Sequence, residues 1–184
     1  MKRRLFALAL ALLLAVSLPV SALARDWYID EGDITIRATE NGQTVKQGDK
    51  DAVEDAAPVI KQRNSETATD KTIKIETTGD ATADVTIEDV NISSKGDAID
   101  VGSSSANITL KRDNKLFSET GSALHVSSGD VTIDGDGSLE AEIGGDDNDN
   151  AKIGSHENED MSGSIHITGK ATVTTKDDGV DDYY

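Results

Sequence analysis

The sequence predicts an all-β chain wound as a three-faced parallel β-helix, about four coils of ~23 residues behind an irregular N-terminal cap. Three observations lead there. Short β-branched segments recur between clusters of Gly, Asp, Asn and Ser, the pattern of brief strands joined by turns. The first three of those segments recur at a constant interval. Aromatic residues make up 3% of the chain and cysteine is absent, which suits a narrow column of Ile, Val and Leu.

The leading segments are Val85-Thr86-Ile87, Ile108-Thr109-Leu110, Val131-Thr132-Ile133 and Ile165-His166-Ile167. The first three are evenly spaced, at a period of about 23 residues that falls in the range of solenoid repeats. The last interval is longer by eleven. A second and a third apolar segment follow each: Ile92 then Ile99 with Val101, Leu116 then Leu124 with Val126, Leu139 then Ile153, and Val173 then Val180. Because successive side chains of a strand point to opposite faces, Thr86, Thr109, Thr132 and His166 are expected outside. Ile87, Leu110, Ile133 and Ile167 are expected to stack as one inward ladder. The eleven extra residues of the last interval are expected to loop out between the second and third strands of the third coil, over residues 143–151.

Before Val85 the repeat is less regular. Ile34-Thr35-Ile36, Val59-Ile60 and Ile73-Lys74-Ile75 read as strands separated by polar stretches over residues 40–57 and 61–71. Terminal repeats of a solenoid are atypical because they close the open end of its core. Residues 25–78 are therefore expected to form a cap and a first partial coil, and residues 79–184 the coils, with either Tyr183 and Tyr184 lying over the open C-terminal end or the chain being a piece of a longer protein.

Met1-Lys2-Arg3-Arg4, a mostly apolar run from Leu5 to Val20, and Ser21-Ala22-Leu23-Ala24 describe a secretory signal peptide over residues 1–24. The apolar run is shorter than the ~20 residues a spanning helix usually needs. Export to a secreted or cell-surface location is expected, with no membrane insertion after cleavage. Setting aside the leader's three basic residues takes the formal charge from -17 to -20. Such a charge opposes nucleic-acid binding, which depends on neutralising phosphates with Lys and Arg. The lack of cysteine excludes disulfides, thiolate nucleophiles and cysteine-based metal sites.

Residues 84–182 resemble the extracellular carbohydrate-binding β-helix family of clostridial and gut Gram-positive bacteria, known for a member that binds cellulose and pectin-type polysaccharide. The matching pieces are Val85-Thr86-Ile87-Glu88-Asp89-Val90-Asn91-Ile92, Val131-Thr132-Ile133-Asp134-Gly135-Asp136-Gly137-Ser138-Leu139 and Val173-Thr174-Thr175-Lys176-Asp177-Asp178-Gly179-Val180. The opening Trp27-Tyr28-Ile29-Asp30-Glu31-Gly32-Asp33-Ile34-Thr35-Ile36 and Ala151-Lys152-Ile153-Gly154 are similar to related repeat-rich surface proteins, with Lys152 where the family usually has Gly. The resemblance implies a right-handed parallel β-helix, calcium bound at turns, and sugar binding without known chemistry.

Candidate metal ligands come from aligned acidic turns. Lys95-Gly96-Asp97-Ala98-Ile99-Asp100 matches Lys176-Asp177-Asp178-Gly179-Val180-Asp181 position by position, so Asp97 with Asp178, and Asp100 with Asp181, are expected at equivalent corners. Clustered carboxylates repel one another unless they are solvated or bridged by a hard cation such as calcium. In the expected insertion, Asp146, Asn148, Asn150 and Glu157 fit positions 1, 3, 5 and 12 of a calcium loop, but Ala151 stands where that loop needs Gly. The only histidines are His125, His156 and His166. They match no HExxH or other zinc spacing, and strand alternation places His125 and His166 toward solvent.

Three function classes remain. A binding module or adhesin would hold polysaccharide, such as an acidic plant or microbial glycan, through outward Thr, Ser, Asn and Asp or through bridging calcium. A surface spacer or stalk needs only a polar, hydrogen-bonded solenoid. A polysaccharide lyase or hydrolase would need a basic residue beside calcium or a close pair of carboxylates. Arg37, Arg63 and Arg112 are the internal arginines, and none is expected beside an acidic cluster on a matching face. No catalytic residues are assigned, and the non-catalytic binding module is the leading expectation.

Overall fold

The computed structural model describes residues 24–144 and 148–176. Residues 1–23 of the expected signal peptide, Asp146, Asp178, Val180 and Asp181 lie outside the described residues. No helix among the described residues is long and apolar enough to cross a membrane.

In chain order the strands are β1 (Asp26–Tyr28), β2 (Ile34–Thr39), β3 (Gly42–Gln47), β4 (Val53–Glu54), β5 (Val59–Lys61), β6 (Ile73–Thr77), β7 (Thr82–Glu88), β8 (Asn91–Ser94) and β9 (Ile99–Gly102). There follow β10 (Ser105–Lys111), β11 (Asp113–Ser118), β12 (Leu124–Val126), β13 (Asp130–Gly135), β14 (Ser138–Ile143), β15 (Ile153–Gly154), β16 (Ser164–Ile167) and β17 (Thr172–Lys176). One 3-10 turn, Ile29–Glu31, separates β1 from β2.

The chain is all-β, with three sheets built almost wholly from parallel pairs. The first sheet has the order β1-β5-β7-β10-β13-β16, the second β8-β11-β14-β17, and the third β15-β12-β9-β6-β2-β3-β4. From β7 onward the chain visits first, second and third sheet in strict rotation. Residues 59–77 already make one such circuit, with β5 in the first sheet, Thr69 bridging Ile92 beside the second, and β6 in the third. Parallel neighbours separated by a circuit arise when each strand is followed by two others before the chain returns.

Ile, Val, Leu and Ala from all three sheets meet in one buried cluster, including Ile75, Ile87, Ile92, Ile99, Leu110, Leu116, Leu124 and Ile133. The alternation that places them is visible in β10, where Ala106, Ile108 and Leu110 are buried while Thr109 is half-buried and Asn107 exposed. Thr86 and Thr132 take the same outer side, and His166 is exposed there.

The register differs from the sequence expectation in one respect. Ile108 pairs with Val85 on one side and with Ile133 on the other, while Val131 faces Ala106. Ile87 and Leu110 are neighbours, and Ile133 and Ile167 are neighbours, but Leu110 faces Gly135. The expected four-membered ladder is therefore two ladders offset by two positions. A slip of two positions keeps every side chain on its face, so alternation does not distinguish the registers. Close approach does: a Cβ on Gly135, whose φ is +114°, would lie 2.2 Å from the Leu110 carbonyl oxygen. Ile167 is 53% exposed, because no described strand lies beyond β16.

The insertion is also redistributed. Measured against the circuit that carries Ile108 to Ile133, the one from Leu124 to Ile153 is longer by four positions and the one from Ile133 to Ile167 by nine. Four of the nine additional positions thus precede β15 and five follow it. β15 returns to the third sheet between them, so the extra chain falls at the two corners that flank the third sheet, as one short excursion at each.

At the N-terminal end the polar stretch over residues 40–57 contains β3, which pairs antiparallel with β2, and β4, which pairs antiparallel with β3. Their inward side chains are Gln43, Val45 and Gln47, all buried. Buried amides need partners, and these have them. Gln43 Nε2 donates to the carbonyls of Asp55 and Asp84, its Oε1 accepts from the Asp84 N–H, and Gln47 Nε2 donates to the Tyr28 carbonyl. Trp27 Nε1 donates to Oδ2 of the fully buried Asp55 at 2.8 Å. This polar, fully bonded layer ends the column of aliphatic side chains.

Candidate functional site

The turn between β8 and β9 presents Asp97, and β9 presents Asp100. One circuit later, in the neighbouring strand of the same sheet, His125 lies directly beside Asp100. Leu124 and Val126 point into the core, so His125 points out of the sheet. The excursion after β15 then folds over it and brings His156 and Glu159 into contact.

The five side chains form a closed set. His125 Nδ1 lies 2.9 Å from Asp100 Oδ1 and 3.6 Å from Asp97 Oδ2, and its Nε2 lies 2.8 Å from Glu159 Oε2. His156 Nε2 lies 2.8 Å from Asp97 Oδ1, and its Nδ1 4.0 Å from Glu159 Oε2. The two imidazoles stack with centroids 3.9 Å apart and planes 4° from parallel. Asp97 Oδ1 also accepts the backbone N–H of Ser122 at 2.8 Å. Gly121 makes room for that carboxylate, since a Cβ there would lie 2.4 Å from the same oxygen. Lys74 Nζ stands 3.9 Å from Asp100 Oδ2.

Three carboxylates surround the two imidazoles and favour the protonated form of His125. Burial opposes the charge on His125, but hydrogen bonds to Glu159 and Asp100 and the field of Asp97 and Asp100 outweigh it, and its pKa is raised above 6.5. The hydrogen bond from His125 lowers the pKa of Glu159 against the opposing effect of burial.

The structure thus brings together two of the expected ligands, Asp97 and Asp100, and surrounds them with nitrogen donors that the sequence reading left outside. Strand alternation gives the correct outward direction for His125, but the side chain is only 9% exposed, because residues of the excursion cover it. One sequence signal bears on the pairing of Asp100 with His125: the interval between them is one circuit of this part of the chain.

Asn148 and Asn150 do different work. Asn148 Nδ2 donates to the carbonyls of Glu119 and Gly121, and Asn150 Nδ2 to that of Thr120. Their side-chain oxygens accept from the backbone N–H groups of Asn150 and Glu157 respectively. Both asparagines dock the first excursion onto the turn between β11 and β12. Their amides bond to backbone groups and, from Asn150 Nδ2 to Asn148 Oδ1 at 2.8 Å, to each other.

No family model, no curated protein and no solved structure matches the chain.

Proposed function

We propose that the chain is an exported, non-catalytic carbohydrate-binding β-solenoid, a right-handed three-faced parallel β-helix that holds polysaccharide on the outer face of its first sheet. The strict rotation of the chain through three parallel sheets supports the solenoid, and parallel crossovers are almost always right-handed. The observation that carries the binding reading is the outer face of β7, β10, β13 and β16. Asp84, Asn107, Thr132 and His166 lie in one row across it, with Thr86 and Thr109 paired beside them. A groove lined by Thr82, Ser105, Asn107, Asp130 and Thr132 runs along this face.

Strands repeat about 4.8 Å apart, so an extended polymer lying along the stack meets hydroxyls, amides and carboxylates at every circuit. Asp84, Asp130 and Asp134 make the face acidic, so an acidic glycan needs a bridging cation, and calcium accepts carboxylate oxygens from both sides. The non-catalytic reading rests on the arginines. Arg37 pairs with Glu76, Arg63 with Glu31 while lying over the Tyr28 ring, and Arg112 with Asp89, all away from the groove.

Incubation with polygalacturonate tests the reading. The protein is expected to be retained in calcium and released by chelator, with retention weakened in Asn107→Ala and Thr132→Ala and no new unsaturated chain ends. Appearance of such ends identifies a lyase. Absence of retention in either condition leaves the polar solenoid as a surface spacer.

A further inference from the structure

We infer that Asp97, Asp100, His125 and His156 form a binding site for one zinc-type divalent cation, which fastens the excursion after β15 to the side of the third sheet. Donor atoms of Asp97, His125 and His156 all lie within 4.8 Å of one another. The nearest donor pairs are Asp97 with His156 at 2.8 Å, Asp100 with His125 at 2.9 Å and Asp97 with His125 at 3.6 Å. Ligands 2.0–2.1 Å from a tetrahedral zinc sit roughly 3.3–3.4 Å from each other, so these three contacts lie near ligand spacing, and the parallel rings must turn apart to aim both nitrogens at one ion.

The donor chemistry selects the metal. Calcium and magnesium take oxygen ligands, whereas imidazole nitrogens suit zinc and its neighbours in the first transition row. The ring nitrogens divide accordingly. His125 Nδ1 and His156 Nε2 face the Asp97 side, while His125 Nε2 is held at 2.8 Å by Glu159 Oε2. A carboxylate on the far nitrogen of a liganding histidine orients the ring and raises its basicity. The cradle is fixed independently by the Ser122 N–H on Asp97 and by the absence of a side chain at Gly121.

Metal entry requires the stacked rings to splay, and His156, 33% exposed on the excursion, has room to move. The ligands come from three separate segments: the β8–β9 corner, β12 and the excursion. Bound metal therefore acts as a cross-link in a chain that has no cysteine. The site lies outside the polysaccharide groove and does not depend on it.

The test uses untagged protein stripped with a chelator, titrated with zinc chloride and, separately, with calcium chloride, and followed by calorimetry and thermal melting. One equivalent of zinc is expected to bind and raise Tm, with no comparable effect from equal calcium. Cobalt(II) is expected to give the intense visible absorption of a tetrahedral site. His156→Ala, which removes no core contact, is expected to weaken zinc binding by at least about tenfold and abolish the cobalt band while leaving the metal-free Tm near that of the parent. Glu159→Gln should weaken zinc binding by ~10-fold or more. Binding of calcium as tight as that of zinc, absence of stoichiometric zinc binding, or equal zinc affinity in the parent and His156→Ala would each overturn the assignment.

Discussion

His125 and His156 stack face to face, their planes 4° from parallel, although one stands on a strand of the third sheet and the other on an excursion from it. The stack exists because both rings are drawn to the same two carboxylates, Asp97 on one edge and Glu159 on the other. The contact is thus a consequence of how three acidic residues are gathered at one corner.

The first prediction concerns pH, in the presence of chelator. Asp97, Asp100, Glu159, His156 and Lys74 are the charged or titratable groups about His125. Its folded pKa is raised above 6.5, so its contribution is complete below 6.5 and is lost as pH rises through the folded value. Glu159 is lowered from 4.5, so its contribution is present above 4.5 and is lost as pH falls through its folded value. Urea midpoints across this range should fall on the alkaline side in the parent, and His125→Gln should remove that slope.

Burial against exposure on one strand gives the second. Ile133 is fully buried and pairs with both Ile108 and Ile167, while Thr132 points outward beside it. Ile133→Ala should cost about 2–5 kcal/mol. Thr132→Ala should stay within roughly 0.5 kcal/mol. Equal losses in denaturant unfolding would mean that the faces of β13 are reversed.

Glycine geometry supplies the third. Gly135→Ala forces a Cβ to within 2.2 Å of the Leu110 carbonyl at a φ of +114°, whereas a Cβ on Gly96 meets nothing within 4 Å. The first substitution should destabilise by roughly 1–3 kcal/mol. Gly96→Ala should be nearly neutral, and comparison of the two melting curves checks the register of β10 against β13.

A fourth lies in the cap. Asp55 accepts the Trp27 indole N–H and the Ala57 backbone N–H in a fully buried position. Asp55→Ala leaves the buried indole N–H unpaired and should cost about 1–3 kcal/mol for it, whereas the N–H of the exposed Ala57 can turn to water. Trp27 is the only tryptophan, so its fluorescence reports the change directly, and Asp55→Asn should retain more stability than Asp55→Ala.

Strand and turn chemistry, the inward and outward faces of Val85 to Ile87 and Ile108 to Leu110, and the position of the longer interval after Val131 are all local properties, so the sequence by itself determined them. A two-residue alternation carries that information within a few neighbours, and β-branched residues between Gly and Asp clusters mark where each strand starts and stops. Which residues become neighbours across circuits is a different quantity. Ile133 could face Leu110 or Ile108 with its side chain still inward. Backbone crowding at Gly135 decided it, and that crowding exists only when two circuits are stacked. The polar cap was opaque for a related reason: Gln43 and Gln47 belong to a polar stretch that reads only as a spacer between strands until the backbone groups of Tyr28, Asp55 and Asp84 are brought within reach of their amides. The corner site depended on tertiary structure most of all. Asp97 and Asp100 were visible as acidic turn residues, but His125 acquires its cover, and His156 and Glu159 their partners, only when the excursion after β15 folds back over the third sheet.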